Sequence, residues 1–151
     1  MSYTYDYPRP AVTADALVLA GDKAHLHILL IQRGHDPFAG RWALPGGFVD
    51  MDEDLDASAE RELQEETGLQ LTGLTQLHTF GAVGRDPRHR TITVAYYVFI
   101  DAPLPVKGMD DASDARWFPI NQLPPLAFDH DRIIQTAMDK LGLLECRSLG
   151  V

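Results

Sequence analysis

The sequence predicts an α/β fold in which a mixed β-sheet is covered by helices. Three observations predict it. Apolar and β-branched runs are bounded by turn residues, two segments carry apolar residues at helical spacing, and the order is strands, helix, strands, helix. At 151 residues the chain has the length of one ordinary domain, so residues 1–151 are read as a single unit.

The elements follow in order. MSYTYDYPRP (residues 1–10) is aromatic and proline-containing, and reads as an extended arm. AVTADALVLA (Ala11–Ala20) and HLHILLIQR (His25–Arg33) read as adjacent strands or a hairpin, with Gly21 and Asp22 between them. His25 and His27 would alternate on the second strand in structural roles. GHDPFAGRW is loop chemistry. A helix capped by Asp54 or Asp56 should run to about Thr67, with Gly68 as its stop. LTQLHTF is a short strand. TITVAYYVFI is a stronger one, apolar on both faces and therefore central. GAVGRDPRHR between them is a basic, turn-rich loop. The acidic segment APLPVKGMDDASDA precedes a short strand, RWFPI. DHDRIIQTAMDKLG closes the fold as an amphipathic helix, with Ile133, Ile134, Ala137, Met138 and Leu141 on one stripe. Asp129 would cap that helix and Gly142 would end it, while His130 carries no clear role.

With 45% hydrophobic residues, such a chain needs no disulfide framework. Its one cysteine, Cys146, reads as an incidental thiol in a reducing compartment. No signal-peptide pattern opens the chain and no apolar run approaches the roughly 18 residues of a membrane span. The expectation is a cytoplasmic protein with no membrane partner. The net charge of −9 argues against a nucleic-acid surface, which would be basic. An anionic substrate would then need cations at the site.

The stretch GGFVDMDEDLDASAERELQEETGL places Glu62, Glu65 and Glu66 three and four residues apart, hence on one helix face. Ala59 and Leu63 form an adjoining apolar stripe, and Glu60 and Gln64 point away. Mutual repulsion and partial desolvation would raise the pKa of such a trio. A hard divalent cation relieves that strain, and oxygen-only ligands suit Mg2+ or Mn2+. Taken alone the trio is an acidic solvated face. Its flanks decide otherwise.

Gly47, Glu53 and the run Arg61-Glu62-Leu63-Gln64-Glu65-Glu66-Thr67-Gly68-Leu69 match the signature of the Nudix hydrolases. The resemblance implies a Nudix-type α/β/α sandwich and metal-dependent cleavage of a nucleoside diphosphate linked to another moiety. It implies that Glu62, Glu65 and Glu66 are metal ligands, with the Gly46 carbonyl a further one, and that Arg61 pairs with Glu53 to lock the loop against the helix. Gly46 and Gly47 would permit positive φ and a close backbone approach. A bound metal would lower the pKa of a water that attacks phosphorus. The base is left open between Glu65, Glu62 and an acid outside the helix. Asp110, Asp111 and Asp114 could reach over the site, but read first as a solvated turn.

YPRPAVTADALVL, QRGHDPFAGRWALPGGFVD, GRDPRHRTITVAYYV, ARWFPI and LPPLAFDHDRII resemble the ADP-ribose pyrophosphatase-like branch. That branch implies a small-molecule nucleotide substrate, ADP-ribose, cleaved to AMP and ribose 5-phosphate. Pro87, downstream of the signature, agrees weakly. Arg33, Arg41, Arg85 and Arg88 are candidates to grip its phosphates, because guanidinium forks match such oxygens; Arg85 leads. Phe48, Tyr3, Tyr5 or Tyr7 could stack on adenine, although the tyrosines fit equally an arm lying on the body or on a partner. The resemblance allows a homodimer.

Three alternatives stand beside this reading. One is a sanitising hydrolase of oxidised nucleoside triphosphates, which the signature alone permits. Another is an NADH pyrophosphatase, disfavoured because no proline- and tryptophan-rich signature follows. The third is a non-catalytic ligand sensor of the kind joined to a DNA-binding domain. The ending LLECRSLGV and the intact trio favour an enzyme.

Overall fold

The computed structural model describes residues 2–143; Cys146 and most of LLECRSLGV lie outside the described residues. Its elements are β1 (Ala11–Ala20), β2 (His27–Arg33), β3 (Trp42–Ala43), β4 (Gly46–Phe48), α1 (Leu55–Thr67), β5 (Thr75–Phe80), β6 (Thr91–Ile100), β7 (Ala112–Pro119) and α2 (His130–Lys140). The sheet runs β3-β2-β1-β6-β5, with β4 also pairing β1 and β7 also pairing β2. β1 and β6 are parallel along their whole length, whereas every other pair is antiparallel. The expected mixed sheet is present, and TITVAYYVFI is the interior strand β6.

The alternation of β1 explains why one helix lies on each side. Ala14, Ala16 and Val18 join the core that contains Ala59 and Leu63 of α1. Leu17 and Leu19 join the core that contains Ile133, Ile134, Ala137 and Met138 of α2. Successive strand residues face opposite ways, so a strand covered on both sides must be apolar throughout. β1 is buried from Thr13 to Ala20, and within that run only Thr13 and Asp15 are polar. An acid held in such a place needs a function or a partner.

Local signals set the ends. Gly68 adopts φ 78° and donates its N–H to the Gln64 carbonyl at 2.8 Å, closing α1 as its sequence predicts. Asp54 and Asp129 occupy the N-cap positions, but neither side chain caps its helix. α2 ends at Lys140, and Gly142 follows in the left-handed region at φ 70°.

Three boundaries differ from the sequence reading. His25 lies in a short 3-10 turn, Lys23–His25, because the Asp22 carboxylate accepts the N–H groups of Ala24 and His25, so β2 starts only at His27. The segment read as loop, GHDPFAGRW, gives way at its last residue, Trp42, to the short strand β3, and β4 follows it. β7 begins well before RWFPI, since Ala112 already pairs with Arg33 of β2. Residues 2–10 form neither helix nor strand and are exposed. Among the described residues, no helix is long and apolar enough to cross a membrane.

Leu63 is fully buried between α1 and the sheet. Leu63→Ala is expected to cost about 2–5 kcal/mol in urea unfolding. The same change at half-exposed Leu104 should stay within about 0.5 kcal/mol.

Candidate active site

Arg61 ties the signature together. Its Nε donates to Glu53 Oε2 at 2.6 Å and its Nη2 to Glu53 Oε1 at 2.9 Å. Nη2 also donates to the Phe48 carbonyl at 3.2 Å, and Nη1 donates to Glu62 at 3.0 Å and Glu65 at 3.2 Å. The loop after β4 is thereby fastened to α1 as the resemblance implies. The bonds from Arg61 hold the Glu53 carboxyl down to about 2.

The glutamate trio is graded in burial. Glu66 is 6% exposed, and its Oε1 accepts the Gly46 N–H at 2.8 Å. Burial pushes its carboxyl up to about 8; the Gly46 bond opposes this, and the nearby Glu62, Asp15 and Asp111 charges add to it. Burial also raises Glu62, against the pull of Arg61. Glu65 is the most open of the three, 43% exposed at its side chain.

These residues meet a cavity of about 360 Å3 beside α1. Asp15, Glu62 and Glu66 line one side of it, joined by Asp111; Arg33, Arg88, Phe48 and Phe128 also line it. Arg33 donates from Nε to the Pro37 carbonyl at 2.8 Å, and its guanidinium lies 4.9 Å over the Phe128 ring. Arg88 is bound to Asp86 and lies 5.2 Å from the Phe48 ring and 5.3 Å from the Phe128 ring. Burial and the neighbouring Arg88 charge lower the pKa of Arg33. The Arg33 guanidinium, bonded through Nε to the Pro37 carbonyl, suits an anion, whereas Nε and Nη2 of Arg88 are held by both oxygens of Asp86. Phe128 sits at φ 53° and Phe38, edge-on to it, at φ 62°. Bulky residues rarely adopt that conformation, and such strain concentrates at functional sites.

The two glycines of the signature serve a different purpose from the one their type suggests. Neither Gly46 nor Gly47 has positive φ. A Cβ on Gly47 would come within 2.5–2.7 Å of the Glu62 carboxylate, and one on Gly46 would collide with Asp15 and the Ala14 carbonyl. Space, not left-handed backbone, requires glycine here.

Not every candidate reaches the cavity. Arg33, Phe48, Glu62, Glu66, Gly46, Arg61 and Arg85 line it, whereas Glu53 fastens Arg61 from outside the lining and Glu65 is held to Arg61. Arg41 is exposed, bonds the Leu126 carbonyl at 3.3 Å and does not line the cavity, so its expected place against phosphate is not met. The fork of Arg85, expected to grip phosphate, is occupied by both oxygens of Asp129 at 2.7 and 2.9 Å. That pairing also explains why Asp129 does not cap α2. Tyr3, Tyr5 and Tyr7 lie outside the cavity lining, with Arg9 over the Tyr5 ring. Asp111, read first as part of a solvated turn, borders the cavity; Asp114 pairs instead with Arg116. Asp15, Asp86 and Phe128, none of them a candidate from the sequence, also line it, as does His130, for which the sequence suggests no clear role. The one available signal was Asp15, an acid within a strand otherwise apolar on both faces.

All the candidate metal donors are oxygens, which fits a hard divalent cation. Among the described residues, however, no three His, Cys, Asp or Glu side chains already converge as a metal-holding group. Arg61 draws Glu62 and Glu65 aside and the Gly46 N–H anchors Glu66, so cation binding must compete with Arg61.

The NUDIX domain family model matches residues 9–137. An ADP-ribose pyrophosphatase of Methanocaldococcus jannaschii is 39% identical over 87% of this chain and 75% of its own length. An ADPR-responsive transcriptional repressor of Acinetobacter baylyi is also 39% identical, over 91% of this chain; the chain spans only 56% of that repressor. Among solved structures, the NUDIX domain of Shewanella oneidensis NrtR complexed with ADP ribose superposes with a TM-score of 0.82 at 34% identity, covering 91% of this chain and 94% of that one.

The raised Glu66 carboxyl makes a pH prediction. Unfolded, it ionises near about 4.3; folded, it keeps its proton until about 8. Between those values the native state binds the extra proton, so this residue lowers stability as pH rises. In divalent-free buffer, Glu66→Gln should raise Tm by a margin that grows from pH 5 to pH 8. Equal melting temperatures at pH 8 would contradict the assignment.

Proposed function

The chain belongs to the NUDIX domain family, and on that premise we propose that this hydrolase cleaves ADP-ribose to AMP and ribose 5-phosphate. One observation carries the reading. A single cavity joins the acidic residues of α1 to two arginines and two aromatic rings. Its volume falls within the range of small-molecule sites, roughly 300–1,000 Å3. The identities to an ADP-ribose pyrophosphatase and to a domain solved with ADP ribose support this substrate.

The parts divide by charge. Arg33 would take the pyrophosphate oxygens, with Arg88 able to join only by releasing Asp86, and the Phe48 ring, 42% exposed, would stack on the base. Nudix hydrolases generally use divalent metal ions; Glu62, Glu65, Glu66 and the Gly46 carbonyl would hold one here, with Mg2+ or Mn2+ suiting the donor set. When bound, such an ion offsets phosphoryl charge and acidifies a water. Glu65 is open to solvent and can turn towards a water, while Glu62 is the more buried alternative as base. Arg61 keeps Glu53 and the Phe48 carbonyl through Nε and Nη2, whichever partner Nη1 holds. The loop therefore stays in place when the glutamates move.

A second reading has one observation in its favour. The relative that responds to ADP-ribose is a repressor, so the same cavity could bind ADP-ribose without turning it over. Incubation with Mg2+ and ADP-ribose, NADH, diadenosine polyphosphates or 8-oxo-dGTP, followed by chromatography, separates the cases. AMP chiefly from ADP-ribose is expected. Binding without AMP supports the sensor, and pyrophosphate from 8-oxo-dGTP supports the sanitising alternative. Removing side chains that merely orient a metal ligand costs about 10- to 100-fold. Glu65→Gln should therefore lower turnover by at least about 100-fold at unchanged stability. Near-normal turnover in that variant would count against Glu65 as ligand or base.

A further inference from the structure

α2 starts at the cavity, and its first residue is a histidine that the proposed hydrolysis does not use. His130 is 5% exposed. Its Nδ1 accepts the backbone N–H of Leu44 at 3.0 Å. A backbone amide can only donate, so Nδ1 is the unprotonated nitrogen and the neutral ring carries its proton on Nε2. Nε2 lies 3.9 Å from Asp15 Oδ2, the oxygen that accepts the Thr93 hydroxyl at 2.5 Å. Asp15 is the register partner of Gly46 across β1 and β4, and its Oδ1 fills the space a Gly46 side chain would need.

The ring therefore holds the segment between β3 and β4 at Leu44, while the Asp15 carboxylate lies beyond hydrogen-bond reach of Nε2. The same segment is tied to β1 where the Pro45 carbonyl accepts the Ala16 N–H at 2.8 Å. The next amide along, that of Gly46, is the donor to Glu66. Deleting the Nδ1 acceptor would leave the buried Leu44 N–H without its partner.

We infer that His130, locked as the Nε2–H tautomer, is a positioning residue for hydrolysis, fixing the Leu44–Gly46 segment so that Gly46 and Glu66 face the cavity. It acts from α2, on the side of the sheet opposite α1, and joins the two helices through the site. The kinetic part of this inference rests on the hydrolase reading; the structural part does not.

Two measurements test it. In 15N-labelled protein, long-range histidine correlations should give His130 an unprotonated Nδ1 and a protonated Nε2, with or without ADP-ribose. A protonated Nδ1 overturns the inference, whether or not the protein hydrolyses anything. The second compares His130→Leu, which offers no acceptor, with His130→Asn, whose amide oxygen can stand where Nδ1 stood. With Mg2+ and ADP-ribose, His130→Leu should lose about 10- to 100-fold in kcat with KM within about twofold, and His130→Asn should recover most of it. Wild-type kcat in the leucine variant, or equal loss in both, overturns the inference. Should the leucine variant fail to fold, the tautomer and the asparagine variant's Leu44 amide shift still decide: a shift displaced far from wild type counts against it.

Discussion

The bidentate Arg61–Glu53 pair is the constraint on which the site depends. Exposed ion pairs contribute about 0–1 kcal/mol, and this one differs in geometry and setting. Arg61 is 28% exposed and Glu53 15% at their side chains, two parallel bonds join them, and the Phe48 carbonyl takes a third. Loss of either partner would strand the other's charge in a partly buried turn, which costs more than the pair contributes. Because the pair holds, β4 lies against α1, Gly47 passes directly over the Glu62 carboxylate, and the Gly46 N–H reaches Glu66.

The electrostatics follow from that packing. Helix geometry sets the three glutamates on one face and the sheet removes water from two of them, so their charges are poorly solvated. Arg61 bonds Glu62 and Glu65, while burial, opposed by the Gly46 N–H, pushes the Glu66 carboxyl up. The cavity is thus primed for positive charge at its carboxylates and for negative charge at Arg33. A net negative protein can hold an anionic diphosphate only with such an arrangement.

What the sequence revealed followed from spacing along the chain. The face shared by Glu62, Glu65 and Glu66, the stop at Gly68 and the interior strand β6 are local periodicities, and all three could be read directly. Arg88, Phe128, Asp15 and His130 come together only through the β1–β6 ladder and the docking of α2, which no local pattern encodes. Arg85 shows the same limit from the other side. Its loop chemistry suggested phosphate, but a carboxylate distant in sequence, Asp129, occupies its fork. The residue type of Gly46 and Gly47 points to positive φ, whereas the structure requires glycine there for space, and a clash with a distant side chain cannot be read from residue type. Asp111 borders the cavity, yet its side chain is 75% exposed and lies 3.4 Å from His35, in keeping with a solvent-facing turn.

On the proposed function, a divalent cation displaces Arg61 Nη1 from the glutamate face. Anomalous diffraction from crystals soaked in Mn2+ tests it most directly. A manganese peak bonded to oxygens of Glu66 and at least one of Glu62 and Glu65, beside the Gly46 carbonyl, with Arg61 still paired to Glu53, is expected. A site without manganese, in which Glu62 and Glu65 remain on Arg61 at saturating Mn2+, would contradict it.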